Sequence, residues 1–532
     1  MEPDPSAHQM VKEEPRGKAA AIARSTLIIS AGWGASIVIG LLRQRLIALE
    51  FGTSAVLDAF TAGNVIPELI YTMLSGGALG FAFIPVYKER LEKAGDASQL
   101  FSKVINWIFL ITLMISAIAF ILAPFLVTTS WGVAAQYPAD VQQLTINMMR
   151  ILLASTIIFS ISSILTSTLY AHEHFLLPAL LPSMYSAGII FGVLALAPKW
   201  GIHGVAWGAV LGSLLHLLVQ VPGIIYYKVK WRLLFAFDSF VRKVAILMLP
   251  RILDLLMARA SINWLNATLS SQLGEGRLAA LDYAFRLMNM PWTLIGTAIG
   301  IAVFPTMAAL AAQKDVAAQR SAFSGSLRAI LTLAIPAAAA LILFGEPIIR
   351  LLFEGGEFTA ESTRLVFYAL RFYTVALISQ SMLEVVVRAF SAQQDTYTPL
   401  YISIFTTAIN IGLAIWLTQP VEQGGISHGG PALANGLAVL LEASIGMLIL
   451  GIRWKGVDLK RILLDLGKAL LAAGFMSVAV VLLKRFLPGG DLILLVAGGT
   501  AGLVVYFAAV YMLGIKDVVN IPLAMIRRKP QS

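Results

Sequence analysis

Long apolar runs recur along nearly the whole sequence, and this feature restricts the fold more than any other. Each run is long enough to cross the roughly 30 Å hydrocarbon layer of a bilayer as an α-helix. Of the 532 residues, 58% are hydrophobic and 13% are charged, and the connections between the runs are too short for a soluble domain of useful size. We therefore predict an all-α polytopic membrane protein.

The apolar runs predict fourteen transmembrane helices. These spans lie near residues 25–49, 57–87, 104–129, 147–171, 178–197, 201–226, 240–269, 278–307, 326–353, 363–390, 397–417, 430–452, 462–483 and 491–514. Residues 1–24 are polar, rich in proline and of mixed charge, which predicts a disordered cytoplasmic leader. Residues 515–532 predict a basic cytoplasmic tail.

The distribution of Lys and Arg between the predicted loops indicates the orientation of the chain. Nearly all loop cations lie on the side of the N terminus, and the opposite side carries Lys199, Arg277, Lys484 and Arg485. Because Lys and Arg accumulate in cytoplasmic loops, both termini are predicted to be cytoplasmic. The same rule accounts for the net charge of +10 without a nucleic-acid partner.

An internal repeat relates the two halves of the chain. The segment GTSAVLDAFTAGNVIPELI resembles GRLAALDYAFRLMNMPWTLI, so that Asp58 corresponds to Asp282 and Pro67 to Pro291. The offset equals six spans, so both halves keep the same orientation in the membrane. We predict two parallel six-helix lobes, residues 25–226 and 240–452, around a central cavity, with two extra helices in residues 462–514.

Charged residues inside the predicted spans concentrate on the first two helices of each lobe: Arg43, Arg45, Asp58, Arg251, Asp254, Arg259, Asp282 and Arg286. An arginine at bilayer depth costs at least about 2.5–3.5 kcal/mol, so its guanidinium should face water, a carboxylate or an anionic ligand. Arg43 and Arg45 are about 200° apart around a helix, so both cannot face one cavity.

Arg43, Asp58 and Arg286 are the leading candidates for the cavity, because none has an evident partner in its own apolar run. Arg251 could face the cavity as well, or it could form a helix-internal ion pair with Asp254 three residues later. Snorkelling towards the membrane surface accounts for Arg364, Arg388 and Lys468.

A cavity with more arginine than acid suits an anionic substrate, since arginine binds phosphate and pyrophosphate through paired hydrogen bonds. A cationic drug would prefer acids in the cavity.

A membrane enzyme such as a glycan polymerase would need catalytic groups on a sizeable external loop, and the predicted linkers are short. The sequence has no cysteine, no metal-spaced histidine cluster and no phosphate-binding loop. We expect a transporter that holds no metal and no cofactor.

Two sequence elements follow recognisable motifs: LLFEGGEFTAEST is similar to LFxxGxFT, and RAFSAQQDTYTP is similar to RAFYAxxDTxTP. The third element is FGTSAVLDAF with the later AFIPVY, and the fourth is YAFRLMNMP, which is similar to YAxRLxxxP. Together the four elements extend over most of residues 25–452. They resemble the MurJ (MviN-type) lipid II flippase family, part of the superfamily of multidrug, oligosaccharidyl-lipid and polysaccharide exporters.

The resemblance implies a fourteen-helix, two-lobed transporter of the bacterial inner membrane. Such a protein flips the undecaprenyl-pyrophosphate-linked peptidoglycan precursor, lipid II, from the inner to the outer leaflet by alternating access. The resemblance also assigns Arg43, Asp58 and Arg286 to the substrate cavity. Another polyprenyl-linked polysaccharide is the alternative cargo, and export of a drug-like cation or glycan polymerisation are further alternatives.

The chain departs from the family pattern at three positions. Ile37 and Tyr71 stand where the family has arginines, and Gly76 stands where it has an acid. Arg251 and Arg259 on the seventh predicted span could restore positive charge to the cavity. For a coupling cation the candidate polar residues are Asp254, Asn263, Asn266 and Asn410, although buried polar groups in membrane helices also bond to neighbouring backbone.

Overall fold

The computed structural model describes residues 34–74, 78–94, 96–259, 263–419, 421–486 and 490–515. These residues form helices joined by short connections, which confirms the predicted all-α class. Within these ranges extended pairing is limited to one bridge between Gly355 and Phe358. The backbone at Arg251, Asp254 and Arg259 is helical, but these three side chains lie outside the described part of the structure.

The main helices of the described part are labelled in chain order. The first, α1, is formed by residues 34–51. The others are α2 Ala55–Leu74, α3 Ala78–Ala94, α4 Ser98–Thr128, α5 Ala139–Ala171, α6 Leu176–Trp200, α7 Ile202–Tyr226, α8 Ser239–Arg259, α9 Leu265–Ser270, α10 Arg277–Ala312, α11 Val316–Phe353, α12 Ala360–Ala392, α13 Tyr397–Leu417, α14 Gly430–Arg453, α15 Leu459–Phe486 and α16 Asp491–Met512.

Eleven helices within the described ranges are long and apolar enough to cross a membrane. They are α4 to α7 and α10 to α16, and they coincide with eleven of the predicted spans. The other three predicted spans, 25–49, 57–87 and 240–269, each include residues outside the described part. The total of fourteen therefore stays a prediction.

The outer surface of the helices is apolar, as expected of a protein whose solvent is lipid. On α4, Met114 is 57% exposed, Ile121 72% and Phe125 63%. A water-soluble monomer rarely exposes a continuous apolar patch of this kind, because the exposure drives association. The pattern supports a membrane-spanning position for α4.

Aspartates stabilise the beginnings of four helices. Their carboxylates accept hydrogen bonds from free backbone N–H groups in the first turn of α4, α8, α11 and α13, and the residues are Asp96, Asp238, Asp315 and Asp395. The first N–H groups of a helix have no partner within the helix, and a side-chain oxygen at this position satisfies one of them. Each of these helices begins on the side that is predicted to be cytoplasmic.

The helices fall into two compact units. The first unit contains residues 34–47 of α1 together with Ala62–Gly132 and Ala139–Leu256. Its core joins α3, α4, α5 and α8 through buried side chains such as Phe83, Phe101 and Ile164. These helices form the framework on which α6 and α7 pack.

Within the first unit, α6 and α7 cross so closely that glycine is required at their contact. A Cβ atom on Gly188 would lie 2.2 Å from Cα of Gly212, and one on Gly208 would lie 2.6 Å from Cα of Gly192. Small residues allow membrane helices to approach at this distance. The contact fixes the part of α6 that carries Tyr185 and Ser186.

The second unit contains two short segments, Ala48–Thr61 and Val133–Pro138, and the chain from Met257 onwards. In this unit α12 packs against α10, α11 and α14. A large apolar core joins α11, α12 and α14 to α15 and α16. Both short segments are flanked in sequence by residues of the first unit, so the end of α1 and the start of α2 are built into the second unit.

Candidate substrate-binding site

Arg43 lies on α1 in the first unit, beside α6. Its Nη1 donates a hydrogen bond to Ser186 Oγ at 3.4 Å, and its Cζ lies 6.0 Å from the centre of the Tyr185 ring. A second contact between the two helices, Ser36 Oγ to Ser183 Oγ at 2.9 Å, lies nearby in sequence. The aromatic ring stabilises the cation through its negative face. Ser186 and Tyr185 of α6 thus both contact the guanidinium of the half-buried Arg43.

An aromatic cluster extends from Tyr185 into the first unit. Phe159 lies at its centre, and we name it the Phe159 cluster. The centre of the Phe159 ring lies 5.1 Å from that of Tyr185, 5.0 Å from that of Tyr71 and 5.0 Å from that of His216. Such ring pairs add to the stability gained from burial alone. Tyr71, which stands where the family pattern has an arginine, thus packs against Phe159, and Phe159 in turn contacts the Tyr185 ring.

Asp58 lies in the first turn of α2 and in the second unit. Its Oδ2 accepts hydrogen bonds from Tyr137 Oη at 2.9 Å and from the backbone N–H of Gly276 at 2.6 Å. Its Oδ1 accepts from the backbone N–H of Ala279 at 2.7 Å. Gly276 and Ala279 belong to the start of α10, where free N–H groups and the helix dipole favour an anion.

The position of Asp58 differs from the predicted contact with substrate. The residue is 0% exposed, and both carboxylate oxygens are engaged by protein donors. In this conformation Asp58 therefore fastens the segment 48–61 to the beginning of α10. The close approach also requires glycine at Gly276, whose φ is +76° and whose Cβ would lie 2.3 Å from the carbonyl oxygen of Thr53.

Arg286 lies on α10, two turns after the Asp58 contact. Its Nε donates to Asp282 Oδ2 at 2.7 Å, with side-chain exposures of 47% and 28%. The expectation that Arg286 has no local partner is therefore wrong, because Asp282 is four residues earlier on the same helix face. The repeat-related acids also differ in role, since Asp58 is enclosed and Asp282 is part of an accessible ion pair.

The structure brings together some of the predicted site residues and leaves others undescribed. Asp58 and Arg286 are both associated with α10 in the second unit, whereas Arg43 belongs to the first unit. The side chains of Arg251 and Arg259 lie outside the described part, so their predicted roles stay predictions.

The side-chain contacts of Tyr137 and Glu384 were not predicted from the sequence. Tyr137 had no recognisable signal, because it lies in a connection and reaches Asp58 only through the tertiary fold. Arg388, which was expected to snorkel, also forms an ion pair: its Nη2 lies 3.4 Å from Glu384 Oε2 on the same helix, and Glu384 Oε1 accepts a hydrogen bond from Thr297 Oγ1 at 3.3 Å. The four-residue spacing of Glu384 and Arg388 was a readable signal for this pair.

A family model described as "Lipid II flippase MurJ" matches residues 47–501. The chain belongs to the lipid II flippase MurJ family. The match spans most of both units, and it confirms the resemblance that the four sequence elements indicated.

Relatives from two bacteria match this chain over most of its length. The lipid II flippase MurJ of Burkholderia cenocepacia is 29% identical over 474 residues, which cover 85% of this chain and 89% of that protein. A probable lipid II flippase MurJ of Rhizobium tropici is 27% identical over 523 residues, which cover 93% of this chain and 95% of that protein.

Solved structures share the fold. A lipid II flippase MurJ in an inward closed conformation has a TM-score of 0.78 and 24% identity, and the match covers 93% of this chain and 100% of that one. An inward-facing multidrug resistance MATE family transporter of the MOP superfamily has a TM-score of 0.66 and 15% identity, with 79% and 94% covered. At these identities the likeness concerns the fold alone.

Proposed function

We propose that this multi-pass membrane protein flips lipid II from the inner to the outer leaflet of the bacterial inner membrane by alternating access. The observation that carries the proposal is family membership across residues 47–501. We also propose that both termini lie on the cytoplasmic side, because Lys and Arg accumulate in the loops on that side. The process is a translocation, in which no covalent bond of the substrate changes.

Arg43 is proposed to bind the pyrophosphate group of the substrate. Its hydrogen bond to Ser186 is long at 3.4 Å and joins a charged donor to a neutral acceptor. A pyrophosphate oxygen carries negative charge and can accept two parallel N–H bonds from one guanidinium, which makes it the stronger acceptor. Tyr185 keeps the guanidinium in place during this exchange because the ring contact does not use the N–H donors.

Arg286 is proposed as a second pyrophosphate ligand. An accessible ion pair between residues four apart on a helix contributes only about 0.3–0.5 kcal/mol. A pyrophosphate with more than one negative charge can therefore displace Asp282 from Arg286, and Asp282 would hold the guanidinium ready until the substrate arrives. Arg251 and Arg259 are proposed to contribute further positive charge for binding of the anionic substrate.

Asp58 is proposed to act as a positioning residue. Its carboxylate is enclosed by Tyr137 and by the first turn of α10, so it acts through the position of the segment 48–61. This role predicts that loss of Asp58 alters folding stability, whereas loss of Arg43 or Arg286 alters substrate binding.

The test of function is rescue of bacteria depleted of their own lipid II flippase. We expect the wild-type chain to restore growth, and Arg43→Ala and Arg286→Ala to fail at equal membrane levels. Arg45→Ala and Arg364→Ala are matched controls, because each removes an exposed arginine from α1 or α12. Failure of the wild type, or full rescue by both cavity variants, would contradict the proposal.

Another polyprenyl-linked glycan is the second candidate cargo, because it presents the same pyrophosphate. Competition against a labelled lipid II analogue in native mass spectrometry separates the candidates. The affinity of undecaprenyl pyrophosphate in this competition should exceed that of undecaprenyl monophosphate by about tenfold or more. The reason is that hydrogen bonds to charged groups contribute about 1.5–3 kcal/mol. If lipid II itself does not compete, the second candidate is favoured.

A further inference from the structure

The connection between α7 and α8 lies along the beginning of α4, within the first unit. We name residues 228–238, KVKWRLLFAFD, the strap. The strap has no helix or strand of its own, yet a series of side chains on α4 binds its backbone at regular intervals. Such regular binding distinguishes it from an ordinary surface loop.

A polar stripe on α4 satisfies the backbone of the strap. Ser98, Ser102 and Asn106 are four residues apart and so lie on one helix face. The N–H of Lys230 donates to Ser98 Oγ at 3.0 Å, and the N–H of Arg232 donates to Ser102 Oγ at 3.0 Å. Asn106 Nδ2 donates to the carbonyl oxygen of Arg232 at 2.9 Å. The strap and α4 therefore run in the same direction.

The later part of the strap continues this pattern. Asn106 Nδ2 also donates to the carbonyl oxygen of Leu234 at 3.0 Å, and Trp107 Nε1 donates to that of Phe235 at 3.1 Å. The strap ends at Asp238, whose carboxylate lies 2.7 Å from Lys103 Nζ. From Ser98 to Trp107 the strap thus follows α4 for about 13 Å, at 1.5 Å per helical residue.

Four apolar side chains of the strap are exposed at alternate positions. Trp231 is 61% exposed, Leu233 70%, Phe235 42% and Phe237 59%. Alternate residues of an extended segment share one face. The outward face of the strap is therefore apolar, although its backbone is held by polar groups.

Basic residues lie at the end of the strap nearest the start of α4, and they alternate in sequence with the apolar residues of this face. Lys228, Lys230 and Arg232 are all exposed. On the predicted orientation the start of α4 is cytoplasmic, so the cations lie at the level of the lipid headgroups and the aromatic side chains lie deeper. Irregular backbone is tolerated at membrane depth only where protein satisfies its polar groups, as the α4 stripe does here.

We propose that the strap binds an anionic phospholipid of the inner leaflet. Lys228, Lys230 and Arg232 bind the headgroup phosphate, and Leu233, Phe235 and Phe237 lie among the acyl chains. A segment with cations at the level of the headgroups and aromatic groups deeper in the bilayer binds preferentially to anionic membrane interfaces. The proposal does not depend on the transported cargo, because the strap lies within one unit and its partner is a bulk lipid.

The first test removes the charges of the strap. In the variant Lys228→Gln/Lys230→Gln/Arg232→Gln the backbone contacts to α4 are retained, because only side chains change. The matched control, Lys455→Gln/Lys460→Gln/Arg461→Gln, removes three exposed cations from the same predicted side. Native mass spectrometry measures phosphatidylglycerol and phosphatidylcholine retained by the purified full-length chain.

We expect the strap variant to retain phosphatidylglycerol about tenfold or more weakly, since each interfacial cation contributes about fivefold to anionic lipid binding. Phosphatidylcholine retention should not change. The proposal is overturned if the strap variant retains as much phosphatidylglycerol as the wild type, or if the control variant loses as much as the strap variant.

The second test measures depth and does not depend on headgroup charge. The native chain has no cysteine, so single variants can carry a nitroxide label at a chosen position. In nanodiscs, the label at Phe235→Cys should be more accessible to oxygen than to a water-soluble nickel chelate. Its ratio of oxygen to nickel accessibility should approach that of a label at Phe475→Cys, on the apolar surface of α15. Glu92→Cys supplies the aqueous reference. Equal nickel accessibility at positions 235 and 92 would place the strap in water and refute the proposal.

Discussion

At the scale of single residues, Asp58 is the clearest case of a charge that holds structure together. We predict that Asp58→Asn lowers the free energy of unfolding by about 2 kcal/mol or more, because the neutral amide cannot accept all three hydrogen bonds from Tyr137, Gly276 and Ala279. The measurement is thermal unfolding of the purified protein in detergent.

Tyr137→Phe is the control for this prediction. It removes one donor and leaves the two backbone N–H groups in contact with the carboxylate, so the loss should be smaller than for Asp58→Asn. An unfolding temperature of Asp58→Asn equal to that of the wild type would show that the buried carboxylate does not stabilise the fold.

Asp395, outside the membrane spans, should give the fold a pH dependence. Burial raises the pKa of Asp395, but hydrogen bonds from Thr398 and Arg453 outweigh this effect and lower the pKa from 3.8 to about 2. A lowered pKa contributes stability that is present above pH 3.8 and lost as the pH falls towards 2. We predict that Asp395→Asn is less stable than the wild type at neutral pH, and that the difference disappears on acidification.

Asparagine at this position can still accept the N–H of Thr398, so the helix cap is kept while the charge and the oxygen that accepts from the Thr398 hydroxyl are removed. Thermal unfolding of both proteins at a series of pH values measures the effect. A stability difference that stays constant from neutral pH down to about pH 2 would contradict the assigned pKa.

At the scale of helices, α11 is joined to the C-terminal pair α15 and α16 by polar contacts. Arg328 Nη1 lies 2.9 Å from Asp465 Oδ2, with side-chain exposures of only 12% and 11%. Tyr506 Oη donates to the carbonyl oxygen of Thr332 at 2.6 Å. At the other end of α11, Arg350 lies 3.1 Å from Asp491. The extra helices are therefore an integral part of the second unit.

Removing one partner of the buried pair should be costly. We predict that Arg328→Ala destabilises the protein by about 3–5 kcal/mol, because Asp465 is left as an uncompensated buried charge. Arg328→Met/Asp465→Leu should recover most of this loss, since well-packed apolar residues can replace a buried ion pair. Thermal unfolding compares the three proteins, and a double variant no more stable than Arg328→Ala would contradict the explanation.

At the scale of the whole molecule, the topology can be tested by labelling. We predict that Glu357→Cys in intact cells reacts with a membrane-impermeant maleimide, whereas Glu92→Cys reacts only after the cells are opened. The absence of native cysteine makes the background low. The physical reason is the accumulation of Lys and Arg in cytoplasmic loops. Labelling of position 92 in intact cells would overturn the predicted orientation.

The membrane spans and the family could be predicted because both depend on local patterns in the sequence. Hydropathy located the eleven described spans, and motif spacing identified the family. The candidate site was less predictable. Arg43 was identified because it is a charge in an apolar run, but its neighbours Tyr185 and Ser186 lie more than a hundred residues away in sequence. The partner of Arg286 was readable from four-residue spacing and was nevertheless overlooked.

Composition and the lengths of the apolar runs were enough to predict the lipid environment of this protein and its helical class, because burial of apolar helices in lipid does not depend on particular contacts. Motif spacing was enough to identify its family. The role of each charge, in contrast, depends on the tertiary structure. It enclosed Asp58 at the start of α10, left its repeat partner Asp282 accessible, and held the strap along α4. Electrostatic roles depend on burial and on partners within a few ångströms, and those partners come from distant parts of the chain.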